Sequence, residues 1–119
     1  MRPDERDPGY IWDMVHYARQ TVEISAGKSL DDLNNDRVFA MAIERSIEII
    51  GEAANNVSEA FKQQHTDIPW AQIRGQRNVI AHMYREIDYV RIWQTVSVSL
   101  PELISVLEPL IPPPPVEET

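Results

Sequence analysis

Phe39, Ile43, Ile47, Ile50, Ala54, Val57 and Phe61 recur at spacings of four and three, which traces one face of an α-helix. A strand sends successive side chains to opposite faces and needs a period of two. No such run occurs in the chain. The stripe therefore predicts one long helix over about residues 36–64. Gly51 falls inside it, at a cost of about 1 kcal/mol relative to Ala, which the close approach of another helix would explain. Glu44, Glu48 and Glu52 follow one another at intervals of four on a different face. Like charges so spaced repel weakly, and they read as a solvated or partner-facing surface.

The rest of the chain extends the same pattern. Asp7-Pro8 is a helix start, with an acid to cap and proline at the first helical position. Ile11, Val15, Ala18 and Val22 then form one face, and Gly27 stands where a helix ends. Ser29 to Asn35 is polar and turn-rich, either a loop or one short helical turn. Residues 66–70 break the pattern; Asp67 can cap and Pro69 is tolerated in a first turn, which predicts a short helix over about 69–82. Asp88 looks like the cap of a last helix whose stripe is Val90, Trp93, Val96, Leu100, Leu103, Leu107 and Leu110. Pro101 inside that run should kink the helix or split it. Pro112 to Pro115 ends the domain as polyproline II, and residues 116–119 are expected to fray. The expected architecture is all-α, an antiparallel up-and-down bundle of four main helices with a short extra helix. It occupies residues 1–111, followed by a proline-rich tail at 112–119. Trp12, Trp70 and Trp93 read as core or interface anchors.

Composition narrows the function classes. A chain of 119 residues suits a single domain. It has no cysteine, which removes disulfides, thiolate metal sites and thiol nucleophiles. The first ten residues lack an apolar core and no stretch of about 18 apolar residues occurs, so neither a signal peptide nor a membrane span is expected, and the chain reads as cytoplasmic. The net charge of −8 argues against a protein that coats nucleic acid broadly, since that affinity grows with the phosphates neutralised by Lys and Arg. There is no glycine-rich phosphate loop, no nucleophile elbow, no H-E-x-x-H and none of the Glu-x-x-His pairs of di-metal bundles. No cofactor and no metal are expected. His16 and His65 have no evident ligand partners and read as surface or satisfied helix residues.

One segment departs from the acidic average. Between residues 74 and 91 lie Arg74, Arg77, Arg85 and Arg91 against Glu86 and Asp88, a local +2 in a chain of −8. Asn78 and His82 are four apart, so on a helix they share a face, and Arg77 borders it. Tyr84 can join them only where the helix ends or turns. Arginine grips phosphate with a planar fork and histidine exchanges protons near neutrality. RNA brings its own nucleophile, the 2′-hydroxyl. Cleaving it needs a base, an acid and cations for the phosphorane. One histidine cannot make both proton transfers at once; two copies across a twofold axis can. A cation-rich helix C-terminus with a purely structural role would look the same.

Arg77-Asn78-x-x-x-His82-x-Tyr84 resembles the R-x4-H-x-Y signature of HepT-like proteins of the HEPN superfamily. Ile49-Ile50-Gly51-Glu52-Ala53, Asp67-Ile68-Pro69-Trp70, and Trp93 with Leu100-Pro101-Glu102-Leu103 resemble further segments of that family, in order, over about residues 8–111. Ala81 and Met83 stand where the family commonly has Ile or Val and Gly. The resemblance implies a HEPN-like helical fold and a metal-independent endoribonuclease that is the toxin of a toxin–antitoxin pair. It implies a homodimer whose cleft carries Arg77 and His82 as catalytic residues, with Asn78 supporting them; Arg74 and Arg85 of the basic segment are candidates to bind RNA. It further implies a nucleotidyltransferase antitoxin of the MntA type that transfers AMP onto Tyr84. A competing reading is a non-catalytic nucleotide-binding or accessory subunit of a nucleotidyltransferase; another is a plain interaction scaffold.

Overall fold

The structure, a computed structural model, describes the backbone of residues 3–82 and 88–111, and side chains within 5–76 and 88–111. All regular structure among these residues is helical. The principal helices are α1 (Asp7–Ser25), α3 (Arg37–Asn56), α5 (Trp70–His82) and the composite of α6 (Tyr89–Gln94) and α7 (Leu100–Leu107). Two single-turn helices, α2 (Leu30–Asn35) and α4 (Glu59–Gln64), join them.

The bundle runs up and down. Asp7 at the start of α1 meets Ser58 just past the end of α3, so these two helices are antiparallel. Ile47 of α3 shares a hollow with Gln76 of α5, while Ala54 shares another with Trp70, so α5 reverses direction again. The same hollows set Gln76 beside Arg91 and set Pro69 beside Leu103, which makes the α6–α7 composite antiparallel to α5.

The core has two parts. Ile11, Met14, Val15 and Ala18 of α1 pack with Ile50, Ala53 and Ala54 of α3, Ile73 of α5 and Leu100, Leu103 and Leu107 of α7. Leu33, Phe39, Ala40, Ile43, Ile47, Ile92 and Val96 form the second part at the other end of α3. Gly51 is buried in α3. Trp70 and Trp93 pack against the two core parts. Trp12 does not: it is 51% exposed and stacks flat on His16 at 4.6 Å.

Several boundaries differ from the sequence-based expectation. The long helix predicted over 36–64 breaks at Val57, where the backbone turns extended and Ser58 caps a new helix through its hydroxyl, which accepts from Phe61 N–H. The apolar stripe continues across the break, so periodicity alone did not reveal it. Asp7 does not cap α1; it is the first helical residue, and its buried carboxylate accepts from Ser58 N–H at 2.8 Å and Oγ–H at 2.6 Å. Ser29 to Asn35 is the short helical alternative, closed by a capping box between Ser29 and Asp32. Pro69, not Asp67, immediately precedes α5, and its carbonyl accepts from Ile73 N–H. In the last helix Val90 is 54% exposed and Ile92 takes the core position. The run that carries Pro101 is split, as expected, into α6 and α7, joined through a π turn rather than a loop. The π turn over Thr95–Ser99 precedes the proline, with Leu100 N–H donating to Thr95 C=O. In a regular helix the Pro101 ring would meet the Ser97 carbonyl; the wider turn makes room, and the helix continues.

Candidate functional site

α5 carries the motif, and its footing is local. Trp70 N–H donates to Ile68 C=O, and the Trp70 indole N–H donates to His65 C=O at 3.0 Å. The Trp70 ring meets Phe61 edge-on, with Lys62 above its face. Ile73 is buried in the core. With one end fixed this way, the helix rises about 1.5 Å per residue and brings Arg77, Asn78 and His82 to its last turns. By helical register Asn78 and His82 lie one turn apart on one face, as their spacing demands. The side chains of these three residues lie outside the described ones. So do Tyr84 and Arg85 entirely, between the end of α5 and Asp88.

Arg74 is exposed on α5 and lines a hollow with Trp70, Lys62 and Glu59. Arg91 is exposed on α6. It faces α5 across a different hollow of about 280 Å³. The two arginines therefore flank α5 on separate sides rather than forming one continuous patch.

The chain resumes at Asp88, whose carboxylate accepts from Val90 and Arg91 N–H and so fixes the start of α6. The next residue, Tyr89, brings its hydroxyl close to the Glu44 carboxyl of α3, and the two interact electrostatically. Burial, above all, pushes the Glu44 carboxyl above its ordinary 4.5; Arg37 opposes this and Glu48 adds to it. Burial and the Glu44 charge likewise raise the Tyr89 phenol. The Glu44 Oε2 atom is buried, with no hydrogen-bond partner among the described residues. Glu44 is thus half-buried rather than a fully solvated surface charge. Glu48 and Glu52 are closer to that reading: both approach Arg45, at 3.2 and 3.9 Å. The Glu44–Tyr89 contact was missed because the partners lie 45 positions apart and no local spacing signals it.

Among the described residues no group of three or more His, Asp and Glu side chains is arranged to hold a metal ion. None of the described helices is long and apolar enough to cross a membrane.

Comparison with known proteins decides the family: residues 14–110 match the model of the ribonuclease HepT-like family. The chain belongs to that family. This HepT-like chain is accordingly an enzyme of the ribonuclease class. It is 35% identical over 94 residues to the protein named "Putative RNase TTE0752" from Caldanaerobacter subterraneus subsp. tengcongensis, a match covering 79% of this chain and 84% of that one. It is 31% identical over 101 residues to "Probable ribonuclease HepT" from Thermococcus cleftensis, covering 85% and 92%. No solved structure matches it. Within the HepT-like chain the motif sits on the last turns of α5, and Tyr84 follows it in sequence.

Proposed function

We propose that this HepT-like ribonuclease is the toxin of a toxin–antitoxin pair and a metal-independent endoribonuclease, working in the cytoplasm. The observation that carries the reading is the placement of Arg77, Asn78 and His82 on consecutive final turns of α5 in a chain of this family. In the proposed reaction His82 of one protomer takes the proton of a 2′-hydroxyl. The 2′-oxygen attacks the adjacent phosphorus, and the bond to the 5′-oxygen breaks. His82 of the second protomer gives that leaving oxygen its proton. The products are a 2′,3′-cyclic phosphate and a free 5′-hydroxyl. Arg77 holds the phosphate and offsets the charge of the phosphorane, where fixed cations act most strongly. Asn78 orients His82 or the substrate, and Arg74 and Arg85 add contacts to RNA. The homodimer supplies the second proton donor that a single set lacks.

Regulation enters through Tyr84. Transfer of AMP onto its phenol by an MntA-type nucleotidyltransferase would place phosphate among the arginines meant for RNA and set negative charge against substrate. Co-expression with a nucleotidyltransferase of the MntA type, followed by intact-mass measurement, tests this. Modification adds about 329 Da per AMP unit to the parent and nothing to Tyr84→Phe. An unchanged parent mass, or an equal addition to Tyr84→Phe, removes Tyr84 from the scheme.

A further inference from the structure

The hollow of about 280 Å³ between α5 and α6 has an unusual lining. Gln72 and Gln76 stand one turn apart on α5, Gln94 and Arg91 come from α6, and Ser99 closes the end. Gly75 also lines it, and a Cβ added there would meet nothing within 4 Å. The hollow therefore stays open against the helix backbone. A second hollow of about 240 Å³ continues it, sharing Ile47, Gln72, Gln76 and Ser99. That continuation ends at Asp67 and Glu102, which would repel phosphates. A strand entering the groove must leave past Arg91, toward the C-terminal end of α5.

That direction leads to the motif. Gln72, Gly75, Val79 and His82 follow at i, i+3, i+7 and i+10, so His82 lies on the same helix line as the groove. From Gln76 to His82 the axial distance is about 9 Å at 1.5 Å per residue, close enough for a neighbouring nucleotide of one strand.

We infer that this groove is a base-reading subsite for a purine next to the cleaved linkage; the inference rests on the ribonuclease reading for its substrate. The lining chemistry selects the purine. A glutamine amide pairs bidentately with N6 and N7 of adenine, and an arginine fork pairs with O6 and N7 of guanine. Both patterns use N7, which pyrimidines lack. Single-stranded RNA exposes these edges because its bases are unstacked and splayed. The Arg91 guanidinium also offers a plane for stacking or a cation for the following phosphate.

Binding of uncleavable 2′-O-methyl oligo(A) and oligo(U) to the full chain, followed by fluorescence anisotropy, tests the subsite. The parent should favour oligo(A) about tenfold, the discrimination of one good bidentate contact. The double variant Gln72→Ala/Gln76→Ala should bring oligo(A) down to the oligo(U) level. Gly75→Leu, whose added Cβ meets nothing within 4 Å and whose side chain occupies the hollow, should do the same and carries the test if the double variant does not fold. Equal binding of the two oligomers by the parent, or a preference that survives Gly75→Leu, overturns the subsite. Cleavage of the unmodified oligomers, run in parallel, separates the two readings. A parent that binds purines selectively but cuts neither oligomer contradicts the nuclease mechanism and leaves the subsite standing. Cleavage with base-blind binding does the reverse.

Discussion

Glu44 illustrates how a single residue acquires a role from its surroundings. Its carboxyl ionises less readily in the folded chain than its ordinary 4.5, first because of burial. In the unfolded chain it loses its proton near the ordinary value. Between those two points the folded state holds more protons, so stability falls as pH rises through that window. Glu44→Gln keeps an acceptor for the Tyr89 hydroxyl and removes the charge. Thermal melts should show the variant gaining on the parent between acid and neutral pH, with no gain below the ordinary carboxyl range. A difference independent of pH would mean that the Glu44 charge has no part in it. Arg77 belongs to the same scale but to chemistry. In the proposed reaction it meets charge that exists only in the transition state, so Arg77→Ala should lower kcat at least 100-fold with an unchanged circular dichroism spectrum. A change confined to KM would assign Arg77 to substrate binding alone.

At the scale of elements, the helices were legible and their ends were not. The stripe from Phe39 to Phe61 correctly marked the core face of α3, but Ser58 interrupts it through a partner 51 positions away. Asp7 was visible as a cap for its own helix, whereas the fold uses it to brace the α3–α4 corner. The two bonds from Ser58 to a buried carboxylate predict that Asp7→Ala costs about 2 kcal/mol, since a charged acceptor and its stranded donors are both involved. Ser58→Ala should cost a similar amount by losing the cap as well. Denaturant unfolding of both single variants and the double should show them far from additive; additive losses would show that the two side chains act separately. The π turn before Pro101 was equally hidden. The proline announced a disturbance, but no local spacing shows that a π turn ahead of it carries Val96 into the core beside Ile43 and Ile47. The candidate site divides the same way. The spacing of Arg77, Asn78 and His82 placed them on one helix end in advance. The groove beside them joins residues of α5 and α6 that no sequence interval relates.

For the whole molecule, charge is the quantity to watch. A chain of −8 is poorly suited to hold RNA by a general positive field; in the proposed reaction contact is confined to the arginines of α5 and its neighbours. Each phosphate neutralised on a single strand contributes about −0.7 to the slope of log affinity against log salt. Two to four contacts per strand give a slope of about −1.4 to −2.8. A much steeper slope would point to broad electrostatic binding. In the proposed reaction His82 is the proton-transfer group of a metal-independent nuclease. The most direct test incubates the purified parent and His82→Ala with RNA in excess EDTA and follows cleavage and the chemistry of the new ends. The parent should cut and leave 2′,3′-cyclic phosphates while His82→Ala, folded as the parent is, leaves the RNA intact. Cleavage by His82→Ala at the parental rate, or loss of parental cleavage in EDTA, would contradict it.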